Sequence, residues 1–157
     1  HALGDGLVIA EIQQASNTTF RLFDWNRVGK DGQPRPLHVQ QSLEVTDYDR
    51  GPVGPQQPDV VGPGVERLVA CDKFVLDRRC LSGDDQPVGS DGQTVGGDDR
   101  FHILSAVAGG ATLTCGDHET PLPLGATVLL PAAAGQAVLS AQTEQATGAA
   151  VLDMYLP

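Results

Sequence analysis

Glycine and proline interrupt this chain so often that no long helix can run through it. There are 19 glycines and 11 prolines among 157 residues. Between them lie short apolar runs rich in β-branched residues and bounded by turn residues. That spacing predicts an all-β architecture of short strands and many turns. Hydrophobic residues make up 40% of the chain, enough for a real core at this length.

The net charge of −10 sets the partners apart by class. Such a chain repels phosphate backbones and anionic lipid surfaces, so neither nucleic acid nor a membrane is expected as a partner. No apolar run is long enough to span a bilayer, and no signal-peptide pattern is present. The cysteines are Cys71, Cys80 and Cys115, an odd set without a CxxC pair. A disulfide framework or a cysteine zinc site is not expected, and the thiols read as small buried residues of a cytoplasmic protein. The chain starts at His1 and its one methionine is Met154. It is therefore expected to be a processed chain, or a piece of a larger protein whose N-terminal part is missing.

Leu7–Gln13 and Thr19–Trp25 read as two strands of a hairpin turning at Ala15-Ser16-Asn17. With the turn centred on Ser16, Gln13 faces Thr19, Glu11 faces Arg21, Ile9 faces Phe23 and Leu7 faces Trp25. Directly opposed residues share a face, so Glu11 and Arg21 become cross-strand neighbours; a slip of one residue would part them. Val28–Arg35 is a turn-rich loop, and Leu37–Val45 carries a short helical pattern. Arg50–Gly64, with four prolines and four glycines, reads as a connection without regular structure. Further strands are expected at Arg67–Cys71, Phe74–Leu81, Phe101–Val107, Ala111–Cys115, Thr127–Pro131, Gln136–Ser140 and Ala149–Tyr155, the spacing of a sandwich or jelly roll. The domain reading is final strands of one domain over 1–28, a connecting segment with a short helix over 29–64, and a jelly-roll domain over 65–157.

Three residues stand out for chemistry. Glu11 interrupts an apolar strand between Ala10 and Ile12, and Arg21 interrupts the partner strand. Charges there must be paired or sit at a site. The pair either pins register or forms a site in which Glu11 moves or holds a proton and Arg21 clamps a substrate anion. His1 is a candidate metal ligand through its imidazole, although on the residues alone a terminal histidine is more often a frayed end. His38 opens the short helix and reads as a packing or capping residue rather than a ligand, and His102 and His118, without a carboxylate or histidine partner at ligand spacing, read as structural. The acidic stretch Gly83–Asp99 does not fit a calcium loop and reads as solvated. No GxSxG, P-loop, HExxH or GxGxxG motif is present, so hydrolase, nucleotide-binding and zincin readings have no support.

The opening run resembles the type I mannose-6-phosphate isomerases, metal-dependent cupin enzymes. The resemblance lies in His1-Ala2-Leu3, Ile9-Ala10-Glu11-Ile12-Gln13-Gln14, Ser16-Asn17-Thr18-Thr19-Phe20-Arg21 and Asp24-Trp25-Asn26-Arg27. It continues through Arg35-Pro36-Leu37-His38 and, in the C-terminal half, Phe101–Ser105 and Leu124–Ala132. The resemblance implies a cupin-type jelly roll with a short helix, preceded by a hairpin of the catalytic cupin.

It also implies that His1 ligates zinc, that Arg21 acts in sugar-phosphate isomerisation and that Glu11 lines the site as a base or its support. The family's other ligands, a Gln/His pair and a Glu, belong upstream, as does a phosphate-binding lysine. One ligand does not hold a catalytic zinc, so the fragment alone is expected to be inactive. The implied reaction of the whole enzyme interconverts mannose 6-phosphate and fructose 6-phosphate through a cis-enediol, with zinc as Lewis acid. The expected partners are a sugar phosphate and the N-terminal half of the same protein. The rival reading is a non-catalytic cupin module with a structural, regulatory or sugar-binding role.

Overall fold

The computed structural model describes residues 4–51, 54–81, 92–142 and 148–157. The chain divides into two compact units, His1–Gly54 and Pro55–Pro157.

The C-terminal unit is built from ten strands among its described residues: β1 (Asp59–Gly62), β2 (Val65–Ala70), β3 (Val75–Leu81), β4 (Gln93–Gly96), β5 (His102–Ala108), β6 (Ala111–Cys115), β7 (His118–Leu122), β8 (Thr127–Leu130), β9 (Gln136–Ala141) and β10 (Ala149–Tyr155). They form a six-stranded antiparallel sheet in the order β1-β2-β3-β10-β5-β8 and a four-stranded one in the order β4-β9-β6-β7. The all-β, two-sheet expectation therefore holds.

Alternation places the core. On β5 the buried residues are His102, Leu104 and Ala106; on β10 they include Ala149, Val151 and Asp153. Leu81, Leu104, Ala106, Leu130, Ala149 and Val151 from the large sheet form one cluster with Val95, Ala111, Leu113, Leu122, Ala137 and Leu139 from the small one. Full burial of one leucine side chain contributes about 1.5–3 kcal/mol, so this cluster is the main source of the unit's stability.

Between β5 and β6 the chain changes sheets at Gly109, whose φ is +61. A Cβ there would collide with the carbonyl of Gly148. Both the backbone conformation and the close approach require glycine.

Seven strands fall where the sequence pattern predicts them, within a residue or two. β1, β4 and β7 were not expected, and all three lie at sheet edges. β1 occupies part of the proline-rich stretch read as a connection, and β4 part of the acidic stretch read as solvated loop. β7 contains Pro121, opposite Thr112 of β6, and an edge strand tolerates a residue without an N–H. The cysteine expectation is corrected too: Cys71 and Cys80 are exposed and Cys115 is half-buried, all three as free thiols.

In the N-terminal unit the expected short helix is α1 (Val39–Val45). The hairpin over Leu7–Trp25 is not formed as a ladder: no strand is present there among the described residues, and the one isolated bridge joins Val28 and Pro34. Leu7, Ile9, Phe23 and Trp25 are all exposed. A two-stranded ribbon is marginal unless a third strand or a helix covers its apolar face, and among the described residues of this unit nothing covers these side chains.

Candidate functional site

Arg21 sits in the N-terminal unit in a framework made by backbone as much as by side chains. Its N–H donates to Nδ1 of His38 at 3.1 Å, and the N–H of His38 donates back to the Arg21 carbonyl at 2.7 Å. The Arg21 side chain is 21% exposed. Its Nη1 donates to the Pro36 carbonyl at 3.2 Å, and its Nε lies 3.7 Å from Asp24 Oδ1.

Asp24 is already engaged. Arg35 holds it bidentately, with Nε donating to Oδ2 at 2.6 Å and Nη2 donating to Oδ1. That hydrogen-bonded pairing with Arg35 keeps the Asp24 carboxyl below the ordinary carboxylate range. The group of Arg21, Arg35 and Asp24 thus keeps one net positive charge. The next two residues, Trp25 and Asn26, have φ of +52 and +55, and the Arg27 N–H closes the turn on the Asp24 carbonyl at 2.9 Å. Two left-handed central residues are the signature of a type I′ turn. A bulky residue such as Trp25 is costly there, and such strain concentrates at functional sites.

The other predicted site residues are placed differently. Glu11 is exposed, and no hydrogen bond or ion pair joins it to Arg21 among the described residues. The cross-strand pairing fails with the ladder it depended on. His1 lies outside the described residues. His38 occupies the N-cap position of α1 yet makes no side-chain cap; its ring turns to Arg21 instead. Nothing in the local sequence signals that choice, because an imidazole taking a distant backbone N–H follows no spacing rule.

The C-terminal unit holds a second polar cluster, on the core face of the large sheet. His102, Asp77 and Asp153 are all buried. The carboxylate of Asp153 accepts from His102 Nδ1 at 2.7 Å and from Arg79 Nε at 2.8 Å. Arg79 Nη1 donates to the Thr94 carbonyl, and Nε2 of His102 lies 3.1 Å from Asp98 Oδ1. Burial would raise the Asp98 carboxyl, but the hydrogen bond and charge of His102 bring it below the ordinary range. Beside them Arg67 donates to both oxygens of Asp77 and to the Tyr155 hydroxyl, which donates to Asp77 Oδ2. Burial, then the bond to Asp77, raises the Tyr155 hydroxyl.

His102 is buried, and the expectation that it lacks a carboxylate partner is corrected: Asp153 and Asp98 both meet its ring. One of them, Asp98, comes from the acidic stretch read as solvated, part of which lies outside the described residues. Each charge in this cluster has a partner within it, so it reads as a self-satisfied interior network rather than an open site. Among the described residues no group of three His, Cys, Asp or Glu side chains converges as a metal would need.

Comparison with known proteins adds a family context. No family model matches the chain. It is 29% identical over 149 residues to the mannose-6-phosphate isomerase of Bacillus subtilis, an alignment covering 92% of this chain and 44% of that protein. The crystal structure of the Bacillus subtilis mannose 6-phosphate isomerase superposes with a TM-score of 0.65 at 21% identity, over 90% of this chain and 41% of that one. The Salmonella typhimurium enzyme, solved bound to its substrate and zinc, gives 0.57 at 16% identity, over 79% of this chain and 29% of that one. The chain thus resembles mannose-6-phosphate isomerases along most of its length and shares their fold. It spans less than half the length of the curated relatives it matches.

Proposed function

We propose that this chain is the C-terminal part of a zinc-dependent mannose-6-phosphate isomerase that interconverts mannose 6-phosphate and fructose 6-phosphate. The observation that carries the reading is Arg21. It lies in the stretch that resembles the isomerases, is fixed by His38 and Pro36, and stands beside an Asp24 whose charge Arg35 already balances. A guanidinium held this way suits the oxyanion that develops when a proton moves between C2 and C1 of the sugar, or the substrate's phosphate. Glu11, exposed and unpaired with Arg21, is free to serve as the base or to support it.

The described residues do not by themselves fit a zinc ion. The reading takes His1 as one ligand and assigns the others, with the phosphate-binding lysine, to the N-terminal half of the full protein. Residues 1–28 are then the last part of the catalytic cupin, 29–64 the connection and 65–157 a metal-free cupin. The self-paired cluster around Asp153 favours a scaffolding role for that last domain. Zinc supplies Lewis acidity when bound. The three free thiols support a cytoplasmic setting, and no described helix is long and apolar enough to cross a membrane.

The test is the full-length gene product, assayed for mannose 6-phosphate isomerisation and for metal content, with and without chelator. Stoichiometric zinc and chelator-sensitive turnover are expected. A folded product with neither would leave the non-catalytic cupin module as the reading.

A further inference from the structure

We propose that His38 is a positioning residue for Arg21: its imidazole, accepting at Nδ1, fixes the backbone from which the guanidinium is presented. The inference rests on the reading of Arg21 as the anion-binding group of the isomerase.

Four observations carry it. His38 and Arg21 exchange two hydrogen bonds across 17 positions of sequence, one of them from a backbone N–H to the imidazole. A backbone N–H can only donate, so Nδ1 carries no hydrogen and the ring is the Nε2–H tautomer. His38 stands at the N-cap of α1 but spends no side-chain bond on the helix, so capping does not explain its orientation. The remaining contacts of Arg21 use Nε and Nη1, which leaves Nη2 without a bond among the described residues.

The geometry has a mechanical meaning. An arginine side chain has many rotamers, and its tip moves by ångströms when its Cα shifts slightly. Anchoring the Arg21 N–H and carbonyl on His38 fixes the base of that lever. Pro36, two residues from His38, then fixes the guanidinium through its carbonyl, so one short segment holds both ends. A displacement of about 1 Å at a catalytic group costs on the order of a hundredfold in rate, so the anchor has a kinetic consequence.

The test uses the full-length isomerase and compares His38→Ala, His38→Asn and His38→Gln with Arg21→Ala and the double variant His38→Ala/Arg21→Ala. Asparagine places an acceptor oxygen where Nδ1 stands; glutamine places its polar atoms where Nε2 stands. His38→Ala is expected to lower kcat about tenfold or more, with a smaller change in KM. Asparagine is expected to recover most of that loss and glutamine little of it. In the Arg21→Ala background, removing His38 is expected to cost nothing further, because a residue acting through another loses its effect when that other is gone.

Full additivity of the two alanine losses overturns the proposal, as does glutamine rescuing as well as asparagine. Should His38→Ala fail to fold, the asparagine–glutamine pair decides alone. Arg21→Ala turning over normally is a separate result: it removes Arg21 from the reaction, and the inference falls with the reading it rests on.

Discussion

His102 and Asp153, 51 positions apart, are joined by a 2.7 Å hydrogen bond in which the histidine side chain is 3% exposed and the carboxylate 0%. The same carboxylate holds Arg79 through its other oxygen. Three strands, β3, β5 and β10, are thereby tied at one point on the core face of the large sheet. Removing one member of a buried ionic group strands its partners in a dry interior.

Asp153→Ala should therefore destabilise the protein by about 3–5 kcal/mol. Urea unfolding of the variant beside the parent chain reads this directly. A loss below about 1 kcal/mol, the range of an exposed pair, would show that water reaches His102 and Arg79.

Acid should weaken the fold, and the sign follows from two carboxylates. Arg35 lowers Asp24, and at Asp98 burial acts upward but His102 brings the net shift down. A carboxyl whose folded value lies below its unfolded one contributes stability above the unfolded value and loses it as pH falls through the folded value. The urea midpoint should stay level down to about pH 5 and decline below about pH 4. Asp98→Asn should shrink the decline. A midpoint that rises on acidification contradicts this.

Arg21→Ala in the full-length protein should lower isomerase turnover by about a hundredfold or more while moving the melting temperature little. Glu11→Gln should also impair turnover, and because Glu11 is exposed its melting temperature should not change. Normal turnover in either variant would strike that residue from the site.

Gly109→Ala should destabilise by more than the usual glycine-to-alanine change in a loop. The new Cβ meets the Gly148 carbonyl and the backbone is left-handed. Thermal unfolding measures it; Gly116→Ala, at φ +57 with open space around it, isolates the backbone part of the effect.

The sequence was most informative where strands are central. β5 alternates buried and less buried residues, β10 buries Val151, Leu152 and Asp153 in succession, and both were legible as apolar runs. It was least informative at the margins: β1, β4 and β7 are short, glycine- or proline-bearing and paired on one side, so their patterns are weak. The Leu7–Trp25 hairpin shows the opposite failure, strong strand propensity with no pairing surface among the described residues. At the candidate site Arg21 was legible as a charge among apolar neighbours. His38 was not, because its role is a contact between a ring nitrogen and a backbone N–H 17 residues earlier. The partners of Asp153 were hidden for the same reason: Arg79 lies 74 positions away and meets it only when β3 and β10 align.

Pro121 on β7 has a consequence outside this molecule. An open sheet edge is a template on which another chain can continue the ladder. On β7 one rung is missing because proline has no N–H, and at the far edge of the other sheet the register of β1 breaks between Val60 and Gly62. Each irregularity weakens the template on its own side, so in a crowded, newly made population these two edges are poorer starting points for edge-to-edge sticking than regular strands.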